Sequence, residues 1–394
     1  MAETISSEYY RAEIAALNDE IKDLSERLEK STQPKIHDKY DPFDNPTEYK
    51  GFSGDYSVIE PRITEPGYKI PLTPDYEERS SLTHWYGWGA TCVLLRTLLA
   101  LAVTFILTFA AYAAIKLVSP DISKEVRRSY IENSSILVGI NSITLTVINV
   151  ITSVIGMKRA GIRLSSVLRT RDLGANSIFQ YCLIGSGIWY VSTCAVKGLA
   201  VLLRSVGMSI AFSPVDQYIS RGLNLAVFAM YTCLLAPITE ELFFRGMLLR
   251  VFSKASQRFA VYASALFFGL MHGNLPQFIL AFLMGLFLGH ITLKHGSIIP
   301  AAGVHIFVNS LSLMSEILRR QLRGTDFAVE MVLIVFAVVG LLLLVILRIS
   351  DRIPRTTPEQ HCRGTSTAAG SVMFVITVTV LLLRIIYALF RQSI

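Results

Sequence analysis

Residues 327–349 read Phe-Ala-Val-Glu-Met-Val-Leu-Ile-Val-Phe-Ala-Val-Val-Gly-Leu-Leu-Leu-Leu-Val-Ile-Leu-Arg-Ile, with Glu330 and Arg348 as the only charges. At about 1.5 Å per residue a helix of this run reaches roughly 34 Å, enough to cross a hydrocarbon core of about 30 Å. A lipid-exposed chain must satisfy its backbone polar groups internally, so such runs read as helices. Outward from this one, comparable runs occur near 88–118, 135–156, 177–203, 222–250, 258–272, 275–293, 298–318 and 370–390. The expected fold is an all-α, multi-pass membrane protein. The fifth run is short enough to be partly re-entrant, so the count is eight or nine.

Composition agrees. Of 394 residues 52% are hydrophobic and 17% charged, with mean hydropathy +0.47; a soluble chain of this size is about one quarter charged. The charge is uneven. Residues 1–82 hold 18 Asp+Glu against 10 Lys+Arg, and the remainder 12 against 27, so an acidic tail joins a basic membrane body. Basic loops beside membrane helices signal orientation and contact with lipid, and no nucleic-acid partner is expected. Twelve Lys+Arg fall in the loops 157–176, 250–258, 294–297 and 351–369, against about seven in the alternate loops. The expectation is an integral membrane protein with a cytoplasmic N-terminus, in the cell membrane if the source is bacterial. Cys92, Cys182, Cys194, Cys233 and Cys362 form no Cys-x-x-Cys pair, which speaks against a disulfide framework or a structural zinc site. The first 25 residues are polar and acidic, so no cleavable signal peptide is expected.

Three regions follow. Residues 1–32 carry a short amphipathic helix in which Ile14, Leu17, Ile21, Leu24 and Leu28 recur every three or four positions. This seam, within 12–30, suits a coiled coil, a homo-oligomer or another partner. Residues 33–87 are expected to be an extended linker, since seven prolines fall between 33 and 82. Residues 88–394 form the transmembrane domain, with a chemical core at 220–318.

That core contains Ala236-Pro237-Ile238-Thr239-Glu240-Glu241-Leu242-Phe243-Phe244-Arg245-Gly246. Three charges in an apolar helix cost about 2.5–3.5 kcal/mol each at mid-bilayer unless offset. Glu241 and Arg245, at i and i+4, suit an ion pair. Glu240 points about 100° away and has no partner in its own helix, which makes it a functional-site candidate. Downstream come Phe268 and His272 at the end of the fifth run, then His305 and Asn309 at i and i+4 in the seventh. Counting from the loop near 252–258 puts Glu240 about 18 Å deep, His272 about 21 Å, His305 about 12 Å and Asn309 about 18 Å. One carboxylate, two imidazoles and an amide converge. Glu240 could take a proton from water, with His272 positioning that water, while His305 and Asn309 donate to a developing oxyanion. Glu240, His272 and His305 are also reasonable ligands for a divalent metal such as zinc, and spacing alone does not separate the two chemistries. Either needs an aqueous cavity.

The pattern A-P-x-x-E-E-x-x-F-R-G, then F-x-x-x-H, then H-x-x-x-N, resembles the CPBP family of intramembrane metalloproteases, which includes the type II CAAX prenyl endopeptidases and the Abi proteins. The stretch His272-Gly273-Asn274-Leu275-Pro276-Gln277, with Gly285, Gly289 and Lys294-His295-Gly296-Ser297-Ile298, resembles its bacterial branch. The resemblance implies a peptidase in which Glu240 and His272 activate water, His305 and Asn309 stabilise the oxyanion, and Glu241 and Arg245 support them. Its substrates would be membrane-associated peptides or proteins: peptide maturation, bacteriocin processing or prenyl-protein trimming. The rival expectations are a non-catalytic scaffold acting through the acidic tail and a proton-coupled carrier; no internal repeat supports the latter. Arg96, Lys197 and Arg204 are expected to snorkel or pair, and Gly285 with Gly289 to pack helices closely.

Overall fold

The structure is a computed structural model, described at residues 14, 15, 17–25, 74–133, 135–169, 174–208, 210, 222–254, 257–322, 324–350 and 364–393. Among these residues the chain is helical, with no strand. Nine principal helices follow one another: α1 (Pro74–Val118), α2 (Ser135–Ala160), α3 (Ala175–Ser205), α4 (residues 222–252), α5 (Gln257–Met271), α6 (Leu275–His295), α7 (Ile299–Gln321), α8 (Asp326–Ser350) and α9 (Val372–Ser393). Short helices at Lys124–Asn133, Leu164–Val167 and Gly364–Ala369 lie in the connections. Eight of the nine are long and apolar enough to cross a bilayer. The exception is α5, whose 15 residues extend only about 22 Å. Large apolar side chains such as Leu98, Ile106 and Phe109 stand uncovered on the outside of α1, as lipid-facing residues do.

Part of the span 33–87, expected to be an extended linker, is helical. The helix α1 starts at Pro74, the last of the seven prolines, and proline suits a first helical position because its missing N–H has no intrahelical partner there. Leu82, Trp85 and Tyr86 are buried, so the membrane body begins before residue 88. Residues 33–73, Leu28 and the loop 351–363 lie outside the described residues. Residues 14, 15 and 17–25 are helical, with Ile14, Leu17, Ile21 and Leu24 all exposed.

One end of the bundle is tied together by basic side chains. Arg250 donates to the Ser166 hydroxyl and carbonyl at 3.1 Å each and to the Gly296 carbonyl at 2.8 Å. Lys254 donates to the Ala160 carbonyl at 3.3 Å and lies 3.7 Å over the Trp85 ring. These cations meet carbonyls at the C-terminal ends of α2 and α6, where the helix dipole is negative. Aromatic rings of Tyr86, Phe252, Phe259, Phe267 and Phe374 pack at the same end, from α1, α4, α5 and α9. The loops after α2, α4 and α6 therefore share one face with the entry to α1 and α9.

From that face α5 rises and α6 returns, so the two form a hairpin. Its turn is His272-Gly273-Asn274. Gly273 has φ +70°, a conformation that favours glycine, and the Asn274 side chain accepts from the Gln277 N–H at 2.9 Å to cap α6. A Cβ on Gly285 would lie 3.0 Å from Ala265, and one on Gly289 3.3 Å from Val261. The close packing expected of these glycines thus seats α6 against α5.

Candidate active site

The helix α4 is not regular. Residues Tyr231–Leu235 and Leu242–Leu248 are π-helical and flank the α-helical segment Ala236–Glu241 that carries both glutamates. In the first π segment the Ala236 N–H donates to the Tyr231 carbonyl, one residue further back than in an α-helix. The same register would assign the Thr232 carbonyl to the N–H of residue 237, and Pro237 has none. The amide of Asn309 fills that place, its Nδ2 donating to the Thr232 carbonyl at 2.9 Å. Proline in the motif thereby creates a vacancy that fixes α7 against α4. A buried carbonyl without a donor is costly, and here it has one.

Glu241 and Arg245 pair at 2.9 Å, as their spacing predicts, with both side chains fully buried. The same Glu241 oxygen also meets His305 Nδ1 at 2.9 Å. Arg245 donates further to the Gly285 carbonyl at 3.3 Å and its guanidinium lies 4.4 Å over the Phe268 ring. The ring of Phe268 stands edge-to-face with His272 and His305, at centroid distances of 5.2 and 5.7 Å. One aromatic side chain thus separates the two imidazoles and covers the buried cation. The supporting residues Glu241, Arg245 and Phe268 form a single unit behind the histidines.

Both rings are held through Nδ1. His272 Nδ1 is 2.8 Å from the Phe268 carbonyl, which can only accept, so Nδ1 carries the proton and the neutral ring keeps its lone pair on Nε2. His305 donates through Nδ1 to the Glu241 carboxylate. Its Nε2 is an acceptor when the ring is neutral and a donor when the ring is protonated.

Glu240, His272, His305 and Asn309 all line one cavity of about 1740 Å³. Among the described residues no donor reaches the Glu240 carboxylate, within its own helix or from the others. The cavity's inner end includes Arg96, Tyr231, Phe244, Phe268 and Arg384, and its outer end Tyr190, Lys197, Glu316, Arg319, Arg320 and Glu330. At the outer end Arg319 pairs with Glu330 and Arg320 with Glu316, each at 2.5 Å.

Residues 222–311 match the family model of the Rce1-like type II CAAX prenyl endopeptidases. The matched segment holds all four cavity residues and coincides with the segment that carries the CPBP resemblance. It covers under a quarter of the chain and leaves out α1, α2, α3, α8 and α9. No curated protein and no solved structure matches the chain.

Two residues outside the Rce1-like segment join the site. Arg96, on α1, is buried and donates from Nε to Asn149 of α2 at 2.6 Å; Asn149 in turn donates to Thr239 at 3.1 Å. Arg384, on α9, donates to the Met271 carbonyl at 3.4 Å. Arg96 was expected to snorkel or pair; it is paired with Asn149 and in addition lines the cavity. A signal was present: Asn149 and Arg96 each stand well inside an apolar run, away from its ends.

As to a metal, among the described residues no three His, Cys, Asp or Glu side chains come together closely enough to hold one. One oxygen of Glu241 is engaged by Arg245 and His305, and Phe268 stands between the two rings. Glu240, His272 and His305 in this arrangement do not fit a metal ion, and the chemistry below is derived from the side chains alone.

Proposed function

We propose that the protein is a CAAX-type intramembrane endopeptidase that hydrolyses peptide bonds of membrane-associated peptides or proteins. The observation that carries this reading is the meeting of Glu240 from α4, His272 from the α5–α6 turn, and His305 and Asn309 from α7 on one cavity inside a membrane bundle. The Rce1-like match over the same residues supports it.

In the proposed reaction a water held between Glu240 and Nε2 of His272 attacks the scissile carbonyl carbon. Its proton passes to Glu240, the residue with no competing donor, while the C=O pair moves onto oxygen. The second N–H of the Asn309 amide and Nε2–H of a protonated His305 stabilise that oxyanion. Collapse of the intermediate breaks the C–N bond, and the proton on Glu240 goes to the leaving amine. The products are a carboxylate and an amine. The proposed oxyanion role requires His305 doubly protonated, with Glu241 receiving the Nδ1 proton's hydrogen bond. Burial of the site strengthens each of these interactions relative to water.

The test is hydrolysis of a farnesylated, internally quenched peptide by the purified chain in proteoliposomes. Wild type is expected to cut it and Glu240→Ala to leave it intact. A membrane-peptide comparison of cells carrying either form would name natural substrates. Indistinguishable peptides in the two strains, together with restoration of the cellular phenotype by Glu240→Gln, would refute hydrolysis in favour of a scaffold. Metal analysis of the purified chain tests zinc independently: activity retained in metal-free protein is the expected result.

A further inference from the structure

The inner end of the cavity carries more positive charge than the proposed reaction uses. Arg245 is matched by Glu241, and at the outer end Arg319 and Arg320 are matched by Glu330 and Glu316. What remains at the inner end is Arg96 and Arg384 against Glu240 alone. Arg96 is 7% exposed and held through Nε by Asn149, and among the described residues its Nη2 has no hydrogen-bond partner. A guanidinium edge, more than nine-tenths buried, is therefore presented to the cavity.

Arg384 approaches from the other side. Its guanidinium lies flat against Gly273, so that a Cβ there would be 2.5 Å from Nε and 2.6 Å from Cζ. The glycine in His272-Gly273-Asn274 thus does two things: its φ of +70° makes the turn, and its bare face seats an arginine beside the proposed water-activating histidine. Among the described residues no carboxylate pairs with Arg384. Its depth also matters. Twelve residues separate it from Val372 at the start of α9, which places it about 18 Å into the bundle. That is too deep for a phospholipid headgroup, whose phosphate stays at the membrane surface. A cation at such depth is expected to face a partner or an aqueous cavity, and here it faces a cavity.

We propose that Arg384, with Arg96 opposite, forms a carboxylate-binding subsite that engages a free carboxylate of the substrate peptide and so positions the scissile bond against Glu240 and His272. The proposal rests on the peptidase reading for the identity of the ligand as a peptide. The planar fork of a guanidinium accepts a carboxylate through two parallel hydrogen bonds, which a lysine at the same place does not reproduce. The carboxylate belongs either to the peptide's C-terminus or to an acidic side chain. Both sources present the same group, and the experiment separates them.

Three farnesylated fluorescent peptides serve as probes: one with a free C-terminal acid, its C-terminal amide, and the amide carrying one aspartate. Binding is read by anisotropy on Glu240→Gln protein, which removes hydrolysis from the measurement, and kcat/KM is read on proteins with Glu240 intact. The free acid is expected to bind at least tenfold tighter than the neutral amide. Adding Arg384→Met should abolish that preference while leaving amide binding within about twofold, and Arg384→Lys should retain part of it. Gly273→Ala should act in the same direction by displacing Arg384. If the aspartate amide binds as well as the acid, the anion is a side chain; if not, it is the C-terminus. Equal binding or no binding of acid and amide overturns the subsite, as does an equal loss for both in Arg384→Met, which marks a structural role. A binding preference without wild-type hydrolysis leaves the subsite standing and refutes the peptidase reading. Hydrolysis without any preference does the reverse.

Discussion

At the level of single residues the site divides into groups that face the cavity and groups that hold them. Glu241 is a holding group. It neutralises Arg245 and anchors His305 while fully buried, so its loss leaves a cation without compensation. Breaking a buried pair by removing one partner costs about 3–5 kcal/mol. Glu241→Ala is accordingly expected to unfold well below wild type in a thermal assay in detergent, with Glu241→Gln less affected. A melting temperature unchanged by Glu241→Ala would mean that water or another group already serves Arg245. Asn309 is both a holding and a reacting group. Asn309→Ala is expected to lower stability by about 1–3 kcal/mol through the abandoned Thr232 carbonyl. Its activity should fall about 100- to 1000-fold through the lost oxyanion donor. An effect on stability without one on kcat would remove Asn309 from the chemistry. The Glu241–Arg245 pair is legible in the sequence because i, i+4 spacing places the two on one helix face. The bond to Thr232 is not legible, because it depends on a π register that a 3.6-residue count does not contain.

The helices themselves are legible to within a few residues almost everywhere, since twenty apolar residues in lipid admit few other structures. The exception is the start of α1, where a proline-rich composition reads as linker although Pro74 opens the helix. How the helices pack is less legible. Gly285 and Gly289 announce a close contact by their spacing, but Gly340 stands alone in an apolar run and gives no pattern. In the structure a Cβ on Gly340 would fall 2.0 Å from the Leu183 carbonyl oxygen, and one on Gly187 3.0 Å from the Ala337 carbonyl oxygen. The backbones of α3 and α8 meet there directly, with no side chain able to move aside. Gly340→Ala is therefore expected to force α8 away from α3. Overpacking typically costs about 1–3 kcal/mol, and contact with backbone puts this case at or above the upper end. The neighbouring Val339→Ala, which trims an outward-facing side chain, should change the melting temperature little. Equal melting temperatures for the two variants would show that the α3–α8 contact has slack.

For the whole molecule the consequence is a cavity with a direction. The face that gathers the loops after α2, α4 and α6 is closed by the Arg250 and Lys254 bonds and by the aromatic cluster. The α5–α6 hairpin rises from that face and carries His272 at its tip, so it blocks entry from below. The outer cavity residues lie at the other end. Lys197 comes 22 residues after Ala175 in α3, about 33 Å along, and Arg319 20 residues after Ile299 in α7, about 30 Å along. Glu330 is in the first turns of α8. The cavity thus opens on the face opposite the entry of α1. Positive-inside reasoning assigns the closed, more basic face to the cytoplasm. The mouth is then expected on the other side, which would bring substrates to the site from outside the cytoplasm. In a cysteine-free background, Lys197→Cys should react with a membrane-impermeant maleimide added to intact cells. Ser165→Cys, on the closed face, should react only after permeabilisation. The reverse pattern would invert the orientation and keep the mouth opposite the closed face. Labelling of both positions from one side would break the link between the hairpin's face and the mouth, because a closed floor and an open mouth must lie on opposite sides of the same bilayer.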